Sequence, residues 1–237
     1  MPKQVVPLTA SGTPEKIAAG VVTYGEMTKN VIYEQYSNGT MYATQRPSMT
    51  EEVFSSVPAT NKPRGVFWWD ANSTVYIVNN NTIYRDDYST TVGTITGGTT
   101  QKCWFLPFDE DTLLVVDPTN NQLWTISDTH TLTEVTDVDM PGNVAGQQMT
   151  GGGVVLDGYV FLATVSGRIY NSALNDPTVW ESELLTAERF PDGLYHLARQ
   201  GDHLVAVGGQ SIEFFYDAGN TDGSPLQRRA DLVYNIG

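Results

Sequence analysis

The sequence predicts an all-β chain, β-propeller-like, with about four to five blades present and the ring incomplete. Three observations lead there. A set of three apolar runs recurs four times between Arg64 and Phe215, each set closes on an aromatic residue, and the reversals between runs are rich in Asn and Gly. The closing aromatics Tyr84, Trp124, Tyr170 and Phe215 stand 40, 46 and 45 residues apart. A repeat of about 40 to 50 residues that holds several strands is the signature of a propeller blade.

In chain order, the first unit reads as strands at 66–69, 75–78 and 82–84, the second at 103–106, 113–116 and 122–124. The third follows at 154–156, 159–163 and 168–170, and the fourth at 194–197, 203–207 and 211–215. Between second and third runs lie Asn79-Asn80-Asn81, Pro118-Thr119-Asn120-Asn121, Ser166-Gly167 and Gly208-Gly209. Asn and Gly tolerate the positive φ of tight hairpin turns, so these reversals suit an up-and-down meander. A fourth strand is read at 92–95, 132–136 and 179–184, completing a four-stranded sheet in the first three units. Alternation is only partial in the second runs, as expected of strands covered on both faces. The best helical window, 180–188, is short, so little helix is expected. Ahead of the units, residues 30–45 read as a hairpin.

Composition narrows the function classes. Charged residues make up 17% of the chain, against about 25% in an average globular protein. Thirteen basic against 27 acidic residues give a formal charge of −14. That balance argues against a surface built to grip nucleic-acid phosphates or anionic membranes. No stretch has the length of a spanning helix, and Met1-Pro2-Lys3 leads into no signal-peptide core, so folding in the cytosol and no membrane insertion are expected. The lone Cys103 excludes an internal disulfide and reads as a buried structural thiol. His130, His196 and His203 are scattered and read as ordinary strand or loop histidines. Sequons at Asn38, Asn72 and Asn80 carry no weight without a secretory signal.

Other candidates have stronger structural readings than chemical ones. Asp109-Glu110-Asp111 lacks the spaced oxygen ligands of a calcium loop and falls where a turn is needed. Gly151-Gly152-Gly153 precedes a strand instead of opening a helix, so close blade packing or a hinge explains it better than a phosphate loop. Trp68 and Trp69 occupy adjacent strand positions and face opposite sides, so at most one is available as a stacking platform. Arg228-Arg229 is a weak signal for a partner carboxylate or phosphate. Residues 171–180 loosely resemble the Asp-box turn of sialidase-type propellers, with Pro177 disturbing its spacing, and that box is itself structural. No catalytic, cofactor-binding or metal-binding residue is assigned, and no cofactor is expected.

A broader resemblance covers the chain from about Arg64 onward. Asn175-Asp176-Pro177-Thr178-Val179-Trp180, Pro191-Asp192-Gly193-Leu194, the strand 202–208, Gln210-Ser211-Ile212-Glu213-Phe214-Phe215-Tyr216 and Ser224-Pro225-Leu226-Gln227-Arg228 follow one another in order. This succession resembles the packaged-DNA stabilisation proteins of short-tailed bacteriophages, which carry a DP-x-x-W turn, a PDGI-like step and an IEYF-type strand in the same order. Arg64-Gly65-Val66, with the runs at 75–78 and 82–85, resembles that family's first hairpin. Tyr42-Ala43-Thr44-Gln45-Arg46-Pro47 sits where members carry a strand ending in a basic residue and proline.

The resemblance implies a structural virion protein and no chemistry. Members form a homo-oligomeric ring, typically of six, below the portal and adaptor, where they make a tail nozzle that retains packaged DNA. Tail spike, fibre or needle proteins attach to it, and genomic DNA passes through without sequence-specific contact. Location in the virion tail after assembly in the host cytoplasm follows. On this reading residues 1–63 form an N-terminal arm and first hairpin, and residues 64–237 form blades truncated at the C-terminal end. The chain then reads as a fragment, or its missing blades come from another chain. Two other readings remain: a carbohydrate-binding propeller using Trp68, Trp104 and Trp180, and a propeller that binds host proteins through its loops.

Overall fold

The computed structural model describes residues 62–86, 90–97, 101–187, 193–220 and 223–235, together with the strand backbones at 17–18, 21–22, 31–35 and 41–45. The chain divides into two compact units, Met1–Val53 and Phe54–Gly237. In the first, β1 (Ile17–Ala18) pairs antiparallel with β2 (Val21–Val22), and β3 (Val31–Gln35) with β4 (Met41–Gln45). The second hairpin lies where the sequence placed it, with Val31 opposite Gln45.

Among the described residues, the second unit is a succession of four antiparallel four-stranded sheets, each a meander in chain order. Sheet one holds β5 (Pro63–Trp69), β6 (Thr74–Asn79), β7 (Thr82–Arg85) and β8 (Thr90–Thr94). Sheet two holds β9 (Trp104–Pro107), β10 (Thr112–Asp117), β11 (Gln122–Ser127) and β12 (Leu132–Glu134). Sheet three holds β13 (Val154–Leu156), β14 (Tyr159–Ala163), β15 (Arg168–Ala173) and β16 (Asp176–Thr186). Sheet four holds β17 (Leu194–Gln200), β18 (His203–Gly208), β19 (Ser211–Asp217) and β20 (Leu226–Asn235). This is the blade architecture of a β-propeller whose ring is incomplete. Among the described residues no helix is long and apolar enough to cross a membrane.

Core formation follows from the two-residue period of a strand. On β10, Leu113 and Val115 join Trp69, Tyr76, Val78 and Ile83 of sheet one, while Leu114 and Val116 join Val160, Leu162, Tyr170 and Trp180 of sheet three. On β14 the alternate residues Phe161 and Ala163 pack with Leu197, Leu204, Ala206 and Phe215 of sheet four, with Tyr159 against the same cluster. Three apolar layers therefore lie between four sheets. Each fully buried large side chain contributes about 1.5–3 kcal/mol of transfer free energy, so these layers hold the blades together.

The hairpin turns use the residues that the sequence singled out. Asn80 and Asn121 have φ of 55° and 56°, in the left-handed region that Asn tolerates. One strand read from the sequence runs longer than expected, and one strand was not read at all. The fourth strand read at 179–184 is β16, which extends beyond it at both ends, and Leu184, Leu185 and Thr186 pair with Tyr170, Ile169 and Arg168 where the best local helical window lay. Tertiary pairing has overridden a weak local propensity. Sheet four also has a fourth strand, β20, where the sequence reading found three; its Leu226 and Gln227 lie opposite Asp217 and Tyr216.

Candidate functional site

Between sheets one and two lies a buried polar cluster centred on Arg64. Its Nε donates to the Gln101 carbonyl at 2.7 Å, one terminal nitrogen donates to the Asn80 carbonyl at 2.9 Å, and the other donates to Asp117 Oδ2 at 2.6 Å. Neither side chain of the ion pair is exposed. Asp117 Oδ2 also accepts from Asn120 Nδ2 at 2.8 Å, and that amide donates to the Gly97 carbonyl at 3.0 Å. One guanidinium fork thus ties together the segment before sheet two and two hairpin turns. Cys103 lies beside this cluster, its N–H donating to the Arg64 carbonyl. Burial, with the Asp117 charge adding and Arg64 opposing, pushes its thiol up to about 12. A thiol held protonated in this way is a structural residue and a poor nucleophile.

The glycine triplet resolves to close packing. Gly151 shares a parallel bridge with His196 on β17, and its carbonyl lies 2.8 Å from His196 Nδ1. A Cβ at Gly151 would stand 3.0 Å from Trp104 Nε1, and one at Gly152 only 2.2 Å from His196 Cε1. The Trp104 and His196 rings lie 4.7 Å apart, with Lys102 Nζ 3.6 Å above the indole. The triplet lets the backbone slide past an aromatic pair that joins sheets two and four.

The hairpin turns at the two ends of the sheets differ in charge. In an up-and-down meander the first-to-second and third-to-fourth turns emerge at one end, and the second-to-third turns at the other. The first set carries Asp70, Asp86, Asp109, Glu110, Asp111, Asp128, Asp157 and Asp202; among the described residues these turns hold no lysine or arginine, although Arg85 and Arg199 flank them at the strand ends. The second set, at 80–81, 118–121, 164–167 and 209–210, holds no charged residue, while the connections between sheets that reach the same end carry Lys102, Asp137 and Asp139. Within the acidic end the turns are braced locally: Asp111 N–H donates to Asp109 Oδ1 at 3.0 Å, and Asn72 Nδ2 reaches the Asp128 carbonyl at 2.9 Å. Asp109, Glu110 and Asp111 therefore form a turn, and among the described residues no group of three or more His, Cys, Asp or Glu is arranged to hold a metal.

The remaining candidates separate one by one. Trp69 is buried and Trp68 is 53% exposed, as opposite strand faces require. Trp180 is buried and its Nε1 donates to the Pro177 carbonyl at 3.2 Å, so it offers no face to a sugar. That turn is held like an Asp box: Asp176 Oδ1 accepts from Thr178 N and Oγ1 at 2.9 and 2.6 Å, which lowers the Asp176 pKa. His130 Nδ1 meets the Tyr76 hydroxyl at 2.6 Å, and burial, aided by the Arg85 charge, lowers the His130 pKa. The tyrosine hydroxyl and the imidazole share one hydrogen bond, whose direction follows the ring tautomer. His203 lies 3.3 Å from Arg229. Arg228 pairs with the buried Glu213 at 2.8 Å, and Arg229 pairs with Asp231 at 2.9 Å, so both arginines serve β20. Asn38, Pro191 and Asp192 lie outside the described residues. The Arg64–Asp117 pair was not foreseen; an arginine within an otherwise apolar strand was its one sequence signal.

Comparison with known proteins agrees with this architecture. The solved structure of YCF48 bound to D1 peptide is 17% identical, with a TM-score of 0.51 over 86% of this chain and 66% of that one. Virginiamycin B lyase from Staphylococcus aureus aligns at 13% identity and a TM-score of 0.48, over 70% of this chain and 55% of the lyase. The computationally designed Ika4 protein aligns at 13% identity and a TM-score of 0.45, over 80% of this chain and all of that one. This chain thus spans less than two thirds of the first two, and only the first bears on the fold. No curated protein matches. The model of the phage stabilisation family matches residues 21–237, nearly the whole chain, and the chain therefore belongs to the family described as Bacteriophage P22 Gp10, beta-propeller.

Proposed function

We propose that this phage structural protein is a tail component, which assembles with copies of itself into a nozzle ring below the portal and adaptor and retains the packaged genome. The observation that carries the reading is the family match across residues 21–237. In this reading residues 1–63 serve as an arm and hairpin and residues 64–237 as the blades. Copies associate into a ring, six by the family resemblance, to which spike, fibre or needle proteins attach. The role needs no reaction and no cofactor: the blades supply rigid surfaces.

The acidic hairpin turns support it physically. A protein that neutralises phosphates gains affinity from counterion release, and acidic turns gain none. A duplex passing such an end is repelled, so it is held by a plug and slides freely on ejection. Deleting the gene in the phage that encodes it tests the reading. Expected are heads that package DNA and then lose it to added nuclease, lacking the distal tail parts. Stable, infectious, nuclease-resistant particles from the deletion would overturn it.

A further inference from the structure

Sheets three and four meet over a polar pocket of about 410 Å³ as well as over their apolar layer. The two-residue period of β15 decides which side chains face it. Tyr170 joins the layer toward sheet two, whereas Ile169 joins the layer toward sheet four. Asn171 therefore faces sheet four, and it lies opposite Phe161, which packs on that same side. On β16 the parity is the same: Trp180 and Leu184 turn toward sheet two, so Glu181 and Glu183 share the face of Asn171. Tyr159 joins them from β14, and Asn220 and Pro225 line the pocket from the β19–β20 connection.

Two independent features of this arrangement ask for a cation. Tyr170 pairs with Leu184 and Ser172 with Trp180, so the three residues Glu181, Ser182 and Glu183 stand opposite Asn171 alone. Such a bulge re-aims side chains, and here it sets two carboxylates on one face across from a carboxamide. Like charges so placed repel, and among the described residues the pocket lining contains no lysine or arginine. Asn171 itself is only 2% exposed. Its Nδ2 donates to the Ser172 carbonyl at 3.1 Å, while its buried Oδ1 has no hydrogen-bond partner. Ionised glutamates accept and do not donate, and Asn220 Nδ2 is engaged by the Ser224 carbonyl at 3.2 Å, so neither supplies that oxygen with a proton.

We infer that Asn171 Oδ1 and the Glu181 and Glu183 carboxylates bind a divalent cation of the calcium class between sheets three and four. The donors are all oxygen, the set that hard cations take and that copper or zinc do not prefer. Calcium accepts roughly six to eight oxygens in irregular geometry and completes its shell with water, for which the pocket has room. Magnesium holds to a strict octahedron and gives up its waters reluctantly. Only two donors are charged and both glutamates are exposed, so the affinity belongs to the weak class, with a Kd of about 10⁻⁴–10⁻³ M. A bound ion fixes the bulge of β16 and stiffens the junction of the two sheets. The inference is independent of the tail reading.

Calorimetric titration of calcium chloride into the full chain, first treated with chelator, tests it. Expected is one saturable site per chain in that affinity range, with a rise in the thermal midpoint that chelator reverses. Glu181→Gln/Glu183→Gln alters exposed side chains, so it should keep its β-type circular dichroism yet weaken binding by about tenfold or more. Asn171→Asp turns the buried acceptor into a third carboxylate; it should fold less stably in chelator and gain more from calcium than wild type. Glu110→Gln/Asp111→Asn, at an acidic turn elsewhere, should bind like wild type, which separates a site from diffuse attraction by the chain's charge of −14. Absence of saturable binding by the folded wild-type chain overturns the inference. So does binding that survives Glu181→Gln/Glu183→Gln unchanged or falls equally in Glu110→Gln/Asp111→Asn, or an Asn171→Asp chain that calcium stabilises no more than wild type.

Discussion

Arg64 and Asp117, 53 positions apart in sequence, meet at 2.6 Å in a fully buried ion pair that locks sheet one to sheet two. Removing one partner leaves the other charge buried and unpaired. Arg64→Met and Asp117→Asn are each expected to cost about 3–5 kcal/mol, read as a lowered urea midpoint by tryptophan fluorescence. The double variant Arg64→Met/Asp117→Leu should recover part of that loss, because it removes both charges. Recovery stays partial, since the Asn80 and Gln101 carbonyls also lose their donor. Single variants within about 0.5 kcal/mol of wild type would contradict the account.

Gly152 is constrained twice, by a φ of 78° and by the His196 ring. That ring is pinned between Trp104 and the Gly151 carbonyl, so it has little room to retreat. Gly152→Ala is expected to destabilise by about 1–3 kcal/mol. In a double-mutant cycle with His196→Ala the penalties should be less than additive, leaving the backbone strain alone. Full additivity would show that the contact has no consequence.

The Tyr76–His130 hydrogen bond predicts a pH dependence. Burial holds the His130 pKa below its ordinary value of 6.5, so the unfolded chain takes up a proton first as pH falls. Its contribution is present above pH 6.5 and is lost as pH falls through the lower folded pKa. In His130→Asn, which tolerates the local φ of 62°, the fall in stability just below pH 6.5 should be absent. Asp231, held at about 2 by the hydrogen bond from Arg229, acts in a separate window, between its ordinary 3.8 and 2. Equal pH profiles for wild type and His130→Asn between pH 5 and 7 would contradict this.

The acidic end predicts indifference to DNA. Wild-type protein should pass unretained over immobilised duplex at low salt. Replacing Asp70, Glu110, Asp111 and Asp128 with lysine should create retention that falls steeply as salt rises. Salt-sensitive retention of the wild-type chain would mean that another surface grips phosphate.

Much of this fold was legible because its period is local. Apolar runs such as 113–116 and 159–163 and turns such as Asn79-Asn80-Asn81 announce hairpins within a few residues, and four hairpin sets at a near-constant spacing announce blades. The outer strands were harder. β20 carries Arg228, Arg229 and Asp231 and is half exposed, so nothing in its pattern separates it from a loop until Glu213 and Asp217 supply partners. β16 was read only at 179–184, and its outer residues beyond Leu184 fall in the best local helical window, so its full length, Asp176–Thr186, showed only in the pairing with β15. Contacts between blades were not legible at all: the spacing that joins Arg64 to Asp117, or Trp104 to His196, depends on how sheets stack. The acidic end was hidden for the same reason, since its carboxylates are scattered in sequence and gathered only by the meander.

The central proposal is that this phage structural protein is part of the tail. Mass spectrometry of purified particles of the phage that encodes it, recording its copy number relative to the portal protein, tests that most directly. The account predicts the chain in every preparation at a fixed stoichiometry to the portal, in a fraction that remains with tails when heads are disrupted. Its absence from infectious particles would contradict the account.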